Sequence, residues 1–350
     1  MFKKTLFSLL ALLAVALPSA ASARPIAGAV VFSKASTVEG MPKGGLFAVR
    51  EGRLNQLTGD PTDTEPNFSP DGRTIAFARG GDIYSIRPDG SGQRQLTSGP
   101  DIDSVPKVAP SGRYVVFERR AGEDAPTSLY TVRATGGGLR ALTSGGDDRE
   151  AAFAPDGKAI VFVRSSGTAE GGNDDLYSVR PNGTGRARLT RTGGVDEFAP
   201  RYFAGGIAFS RGESSEGPAA YADIYTMRRN GTKVKQQVAG VGSAYVEDVT
   251  PDGRLLLFRR DQGLWAKRIG PTRAHKLTQL PDNSKTTAVF SSDGRRVAAF
   301  VAVEDKQQLV SIDVRTRRVS ELAEGYDFEE GEGTVLGPVI DWQPVPPPRR

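Results

Sequence analysis

Short apolar runs, each introduced by a polar turn, recur along most of the chain. The clearest copies of the run are TIAF (74–77), YVVF (114–117), AIVF (159–162) and LLLF (255–258). The turn before each run is of the Pro-Asp-Gly or Pro-Ser-Gly type, as in SPDG at 69–72. Asp-Gly supplies the positive φ that tight hairpin loops require, so each turn predicts an antiparallel hairpin.

Two further segments follow each turn and run. The third segment occurs seven times, as LFAV (46–49), IYSI (83–86), LYTV (129–132), LYSV (176–179), IYTM (224–227), LWAK (264–267) and LVSI (309–312). The fourth is Leu-Thr at 57–58, 96–97, 142–143, 189–190 and 277–278, with weaker copies at 238–239 and 322–323. Segments this short, rich in β-branched and aromatic residues and bounded by Gly, Pro, Asp or Asn, are typical of strands.

The order of these segments predicts an all-β, seven-bladed β-propeller. Four antiparallel strands that recur every 40 to 50 residues form one propeller blade. The third segment occurs seven times, but an opening strand precedes only six of its copies. The C-terminal segment GPVIDWQP (337–344) supplies the missing strand, with Trp342 at the position of Phe68. We therefore expect the C-terminal strand to pair into the first blade and close the ring, which removes exposed sheet edges.

Two details refine this prediction. The fifth unit, APRYFAGGIAF (199–209), lacks two residues of the usual turn, so its sheet should have a tighter corner. No stretch has a sustained 3.6-residue apolar period, so we expect almost no helix.

The N-terminus has the layout of a secretory signal peptide. Lys3 and Lys4 precede the apolar run LFSLLALLAVAL (6–17), and small residues end at Ala23, as such peptides require. The run is too short to span a bilayer as a helix, and no later stretch is long and apolar enough. A retained anchor is the alternative. We predict a periplasmic or extracellular protein with a signal peptide over 1–23, a propeller domain over 24–344 and a Pro- and Arg-rich tail over 345–350.

The repeat resembles that of a known family. FSPDGRTIAF (68–77), followed by DIYSIRPDG (82–90) and Leu-Thr, is similar to the WD40-like repeat (PD40) of the TolB propeller. TolB is a periplasmic component of the Tol-Pal envelope system, so the resemblance implies an exported propeller that binds a protein. TolB has six blades behind an N-terminal α/β domain, which makes six blades the alternative count. Similar repeats also occur in propellers attached to peptidases and in oligogalacturonate lyases.

Composition narrows the chemistry that the chain can perform. With no cysteine, the chain lacks thiol nucleophiles, thiolate metal sites and disulfides. His275, the only histidine, lies in GPTRAHKLT (270–278), and no Gly-x-Ser-x-Gly elbow is present, so a Ser-His-Asp triad is not indicated. We interpret His275 as a surface residue in a basic turn. The resemblance to the lyases implies a metal site with several histidines, which one histidine cannot build.

Charge separates the two ends of the predicted ring. We call the end with the inter-blade connections and the loops between second and third strands the loop face; the other two turns of each blade form the turn face. The connections (59–65, 98–105, 144–150, 191–197, 239–248, 281–285 and 323–333) contain 18 Asp and Glu against three Lys and Arg. The tight turns with their flanks contain 26 Lys and Arg against seven acids. The net charge itself, +5 or +3 without Lys3 and Lys4, indicates neither nucleic acid nor a membrane.

The loop face is also where the chain carries its long insertions, KASTVEGMPKGG (34–45), RRAGEDAPTS (119–128), RSSGTAEGGNDD (164–175) and SRGESSEGPAAYAD (210–223). Variable loops on a rigid scaffold are a common place for binding. Asp63, Asp103, Asp148 and Glu197 each precede an opening-strand position by five residues, so we expect them to ring the mouth of the central channel. Such carboxylates would suit a basic protein segment or calcium; no other cofactor is indicated. The alternative is that they are solvated turn residues.

These observations lead to two hypotheses about function. The first is an exported, non-catalytic scaffold that binds a protein or cell-envelope ligand at its acidic, loop-rich face. The second is a carbohydrate-active enzyme, of lyase or glycosidase type, in which paired acids such as Asp148 and Glu197 act as proton donor and base. No pattern typical of nucleic-acid binding is present, and no transmembrane segment is expected after signal cleavage.

Overall fold

The chain folds into a ring of seven four-stranded antiparallel sheets. The computed structural model describes residues 28–38, 41–165, 173–212, 221–240, 242–280, 288–303, 306–322 and 335–342. The predicted seven-bladed propeller is therefore confirmed, and the alternative count of six is wrong. The predicted signal peptide (1–23) and tail (345–350) lie outside the described residues.

We number the strands β1 to β28 in chain order. Blade 1 contains β28 (Val335–Trp342), β1 (Ala29–Val38), β2 (Met41–Arg50) and β3 (Arg53–Gln56). Blade 2 contains β4 (Thr64–Phe68), β5 (Ile75–Arg79), β6 (Asp82–Ile86) and β7 (Arg94–Gln95). Blade 3 contains β8 (Ile102–Val108), β9 (Tyr114–Arg120), β10 (Ser128–Arg133) and β11 (Arg140–Ala141).

The remaining four blades follow in the same order. Blade 4 contains β12 (Asp147–Phe153), β13 (Ile160–Ser165), β14 (Asp174–Val179) and β15 (Ala187–Arg188). Blade 5 contains β16 (Asp196–Phe203), β17 (Gly206–Gly212), β18 (Ala222–Met227) and β19 (Lys235–Val238). Blade 6 contains β20 (Ala244–Val249), β21 (Leu255–Arg260), β22 (Gly263–Arg268) and β23 (His275–Gln279). Blade 7 contains β24 (Ala288–Phe290), β25 (Arg296–Val303), β26 (Lys306–Asp313) and β27 (Val319–Glu321).

The C-terminal strand closes the ring as predicted. β28 pairs antiparallel with β1, with Trp342 opposite Val30 and Ile340 opposite Phe32. Trp342 is buried and belongs to the same apolar cluster as Phe32 and Phe300 of blade 7. The strand therefore supplies the inner edge of blade 1 and part of the core that blade 1 shares with blade 7.

The apolar runs form the second strand of each blade, and they are continuous rather than alternating. In β5, Ile75, Ala76, Phe77 and Ala78 are all buried. A strand covered by neighbouring layers on both faces reads as an unbroken apolar run, and each sheet here is covered by the next blade on either side. The fully buried phenylalanines of these runs are Phe32, Phe77, Phe117, Phe162, Phe209 and Phe258.

The Asp of the repeated turn stabilises the turn through its side chain. Asp71 Oδ1 accepts hydrogen bonds from the Ser69 hydroxyl at 2.6 Å and from the Arg73 amide at 3.1 Å. Asp252 and Asp293 accept the equivalent pair of bonds in their own turns. These carboxylates hold the hairpin between the first and second strands.

The corner of blade 5 is tighter than the others, as expected. β16 ends at Phe203 and β17 begins at Gly206, so only two residues form the turn. A Cβ on Gly206 would lie 1.9 Å from the Met227 carbonyl oxygen, so the close approach of β17 to β18 requires glycine there.

The described part of the chain is built from strands and turns. It includes no helix of the length and apolar character needed to cross a bilayer.

Candidate functional site

The four carboxylates singled out from the sequence lie at the start of the inner strands, at the loop face. Asp63 directly precedes β4, while Asp103, Asp148 and Glu197 are the second residues of β8, β12 and β16. All four are buried, with at most 1% of the residue exposed. The alternative interpretation, that they are solvated turn residues, is therefore wrong.

Each of these carboxylates is paired with an arginine from the end of the second strand of its own blade. Arg119 Nε lies 2.6 Å from Asp103 Oδ1, and Arg119 Nη2 lies 2.7 Å from Asp103 Oδ2. The same two-bond arrangement joins Arg79 to Asp63 and Arg164 to Asp148, and Arg211 Nε bonds Glu197 at 2.8 Å. The hydrogen bonds that the arginines donate to the aspartates raise the pKa of Arg79, Arg119 and Arg164, and burial raises the pKa of Glu197.

Each arginine also stacks on two aromatic rings of its blade. The guanidinium carbon of Arg79 lies 5.3 Å from the centre of the Phe77 ring and 5.0 Å from that of Tyr84. The Phe comes from the second strand and the Tyr from the third, which explains why both recur in the sequence. Blades 3, 4 and 5 repeat the arrangement with Arg119, Arg164 and Arg211. Such contacts within about 6 Å are favourable and add to the ion pair.

The threonine of the Leu-Thr segment bonds the backbone of the third strand, and in blade 1 it also reaches the next blade. The Thr58 hydroxyl accepts a hydrogen bond from the Leu46 amide at 2.8 Å within blade 1. It donates a hydrogen bond to the Asp63 carboxylate of blade 2. The hydroxyls of Thr97, Thr143 and Thr190 accept the amides of Ile83, Leu129 and Leu176 in the same way. Thr58 therefore joins blade 1 to blade 2, and the other three threonines hold the fourth segment of their blade against its third strand.

A fifth member of this set, Glu247 in blade 6, was missed from the sequence. Its buried carboxylate bonds Arg259, and burial raises its pKa. Glu247 lies only two residues before Val249, because it is the bulged residue of β20 between Val246 and Asp248, and Tyr245 is the residue opposite Arg259. The arginine that follows each apolar run was the signal that could have identified it.

The inner strands carry a regular distortion around the channel. Glu65, Val105, Glu150 and Ala199 all have φ between 51° and 56°, at bulges where the first strand slips against the second. The Val105 amide donates to Glu65 at 2.5 Å, and the Ala199 amide donates to Glu150 at 2.6 Å. The bulges therefore turn amide groups toward carboxylates of the preceding blade.

Charged side chains of several blades lie on or beside the inner strands and influence one another electrostatically, and none of them was identified from the sequence. Burial raises the pKa of Glu118 to about 7 and that of Asp341 to about 6. Burial, and then the nearby charge of Arg201, lowers the pKa of Lys107. Lys107 belongs to blade 3, Arg201 to blade 5 and Asp341 to blade 1, so these groups interact across the ring axis.

Two acids of the inner strands, Asp341 and Asp248, join adjacent blades. Asp341 accepts hydrogen bonds from the Phe68 amide at 2.7 Å and from the Asn67 side-chain amide at 3.0 Å, and these bonds link blade 1 to blade 2. Asp248 accepts the Phe290 amide at 2.9 Å, which links blade 6 to blade 7. Among the described residues, no group of three or more His, Asp or Glu side chains is arranged to hold a metal ion.

Other predicted features lie partly or wholly outside the described residues. The acidic connections 281–285 and 323–333 are not described, nor are segments 39–40, 166–172 and 213–220 of the loop-face insertions. His275 is exposed at the start of β23, which is consistent with its interpretation as a surface residue.

Comparisons with known proteins place this architecture among propellers of different function. A search of curated sequences finds no match. TolB from Acinetobacter baumannii is 15% identical, with a TM-score of 0.53 over 91% of this chain and 83% of that one. An oligogalacturonate lyase from Vibrio parahaemolyticus is 12% identical, with a TM-score of 0.63 over 85% of this chain and 92% of that one. A puromycin-hydrolyzing peptidase from Mycobacterium tuberculosis is 13% identical, with a TM-score of 0.64 over 85% of this chain and 52% of that one.

These structural similarities establish the fold alone, because the sequences are too different to carry function. The sequence family is more specific. The family model described as the TolB beta propeller domain (PD40) matches residues 25–201, half of the chain. The chain therefore belongs to the TolB beta propeller domain family.

Proposed function

We propose that this protein is an exported, non-catalytic scaffold that binds a protein or cell-envelope ligand at its acidic, loop-rich face. The observation that carries the proposal is the set of buried carboxylate–arginine pairs beneath that face. The pairs recur in blades 2 to 6 and fix the base of the inter-blade connections. A rigid base that presents variable loops is a common design for binding surfaces.

In this proposal, Asp63, Asp103, Asp148 and Glu197 are positioning residues. Their carboxylates are buried, so they support the ligand surface through the connections that they anchor. Calcium binding at the loop face stays a prediction that a calcium titration of the purified protein would test.

The buried ion pairs favour the binding function over the alternative function, a carbohydrate-active enzyme. A glycosidase or lyase needs carboxylates that reach the substrate, with one able to give up a proton. Asp148 and Glu197 are each completely buried and bonded to Arg164 and Arg211 respectively. Neither carboxylate has a surface that a sugar could contact in this conformation.

The family supports the proposed location and partner class. TolB is exported to the periplasm and acts there in an envelope system, so the predicted signal peptide and the family agree on export. An alkaline phosphatase fusion to residues 1–30 would test export directly, because that reporter is active only outside the cytoplasm. An inactive fusion would contradict the predicted signal.

Capture of partners from an envelope extract tests the binding function. The loop-face variant replaces exposed acids with amides, at Glu123, Asp124 and Asp261. The matched control removes the same number of exposed acids from the turn face, at Glu51, Asp71 and Asp89. We expect one envelope component to be retained by the natural protein and by the control, and to be reduced with the loop-face variant. Equal retention by both variants would contradict the proposed face.

A further inference from the structure

The turn face is strongly basic in the folded protein. It is formed by segments 50–53, 69–74, 87–94, 109–114, 133–140, 154–158, 180–186, 204–205, 228–235, 250–254, 268–276, 291–295 and 313–318, which are all described. These segments expose 22 Lys and Arg residues and only six acids. The net charge of the whole chain, +5, conceals this local excess because the acids are concentrated elsewhere.

Most acids of the turn face are part of the turn geometry. Asp71, Asp89, Asp156, Asp252 and Asp293 each accept the amide of the residue two positions later. The basic residues have no such common structural role. Arg113 and Lys158, for example, are exposed, and each follows the glycine of its turn.

The basic residues are spread over the whole face. Each of the seven blades contributes at least two of them, and the turns that carry them are short. A linear anionic polymer would be matched by a groove or a stripe of positive charge. A disc face that is positive across all seven blades fits an extended, planar anionic surface better.

Exposed apolar side chains lie on the same face. Of the four large hydrophobic residues that are exposed in the described part of the chain, Tyr114, Leu139 and Val234 belong to turn-face segments. They are 44%, 46% and 40% exposed respectively. Apolar and aromatic side chains among basic residues are characteristic of surfaces that insert shallowly into the lipid headgroup region.

A cavity between blades 1 and 2 adds a place for a single headgroup. Its volume is about 690 Å³, and the charged residues of its lining are three basic ones, Arg50, Arg73 and Arg87, and one acid, Asp89. Arginine pairs well with phosphate oxygens. The cavity opens on the turn face, because Arg50, Arg73 and Arg87 belong to its segments.

We propose that the turn face docks on the surface of an anionic phospholipid bilayer. The 22 basic residues attract the phosphate headgroups, and Tyr114, Leu139 and Val234 reach into the interfacial region. This orientation directs the loop face away from the bilayer, so both faces can be occupied together. The proposal is independent of the ligand proposed for the loop face.

Co-sedimentation with vesicles tests this docking. The mature protein, residues 24–350, is mixed with vesicles of phosphatidylcholine alone or of phosphatidylcholine with phosphatidylglycerol. We expect binding only to the anionic vesicles, and release when the salt concentration is raised, because salt screens exposed charges. Absence of binding to anionic vesicles at low salt would overturn the proposal.

A pair of charge-reversal variants assigns the face. Arg113→Glu with Lys158→Glu acts on the turn face, and Lys43→Glu with Arg191→Glu makes the same charge change at exposed residues of the loop face. Each basic residue near an anionic surface raises the binding constant for that surface roughly fivefold. The turn-face variant should therefore bind anionic vesicles at least about 25-fold more weakly than the natural protein. The affinity of the loop-face control should fall much less. Equal losses in the two variants would overturn the assignment.

Two further arms separate the contributions. Tyr114→Ser with Leu139→Ser, which keeps the charge, should reduce vesicle binding while leaving its salt dependence unchanged. Immobilised polygalacturonate is tested beside the vesicles as an alternative anionic surface. Retention on immobilised polygalacturonate without binding to vesicles would overturn the bilayer proposal and assign the face to a polyanion.

Discussion

At the scale of single residues, the arginine that ends the second strand determines the role of the acid that opens the blade. In the sequence, Asp103 is one of many acids in the inter-blade connections. In the folded ring it is buried and accepts two hydrogen bonds from Arg119. Burying a charge without a partner costs several kcal/mol, so the acid and the arginine are required together.

Replacement of one such arginine should be costly. Arg119→Met leaves the Asp103 carboxylate buried without its ionic partner, and we expect a loss of about 3 to 5 kcal/mol in the free energy of unfolding. Urea denaturation measures this change. Arg73→Met is the matched control, because Arg73 is 75% exposed beside Asp71 and exposed pairs contribute little. Equal losses in the free energy of unfolding for the two variants would show that the buried pair stabilises the protein no more than an exposed one.

Glu118 should make stability depend on pH. Burial raises its pKa from 4.5 to about 7. The folded protein then binds the proton more tightly than the unfolded chain does. Its stabilising contribution is therefore complete below pH 4.5 and is lost as the pH rises to about 7.

Thermal melts across this pH range test the role of Glu118. Glu118→Gln should weaken the fall in Tm between pH 4.5 and 7. Glu123→Gln, at an exposed position of the loop that follows β9, should leave the fall unchanged. The same dependence of Tm on pH in the natural protein and in Glu118→Gln would contradict the assignment.

At the scale of strands, the sequence predicted the existence and order of the elements better than their inner geometry. Residue types and turn chemistry are local properties, so strands such as β5 and β10 could be identified from their apolar runs. The bulges at Glu65, Val105, Glu150 and Ala199 could not, because none is glycine and positive φ is unusual for such residues. Their conformation depends on pairing with the second strand and on the neighbouring blade.

The tight corner of blade 5 provides a test at this scale. Gly206→Ala would place a Cβ 1.9 Å from the Met227 carbonyl oxygen, which should force β17 away from β18. We expect a loss of at least about 2 kcal/mol, typical of overpacking at a rigid site. Gly193→Ala is the control, since no atom lies within 4 Å of its added Cβ. A normal melting temperature for Gly206→Ala would show that the corner can relax.

At the scale of the whole molecule, stability should depend on ring closure. A chain ended at residue 334 lacks β28, which pairs with β1 and contributes Trp342 to the core between blades 1 and 7. We expect it to lose cooperative unfolding, because the edge of blade 1 would be exposed.

The control for this truncation ends at residue 342 and keeps the whole of β28. It should melt as the full mature chain does. Calorimetry of the two truncated proteins distinguishes the outcomes. A single sharp transition at the natural temperature in the shorter protein would contradict the role of the closing strand.

By itself, the sequence determined the seven-bladed ring, its closure by the C-terminal strand and the separation of charge between its faces. These follow from repeated local patterns, and a repeat fixes its architecture when each unit can bury its apolar faces only against its neighbours. Only the tertiary structure decided which acids are buried and which charged groups meet. Asp63 could be singled out by its position in the repeat, but its burial against Arg79, 16 residues away, depends on the fold. Lys107, Arg201 and Asp341 come from three different blades, and only the closed ring brings them together.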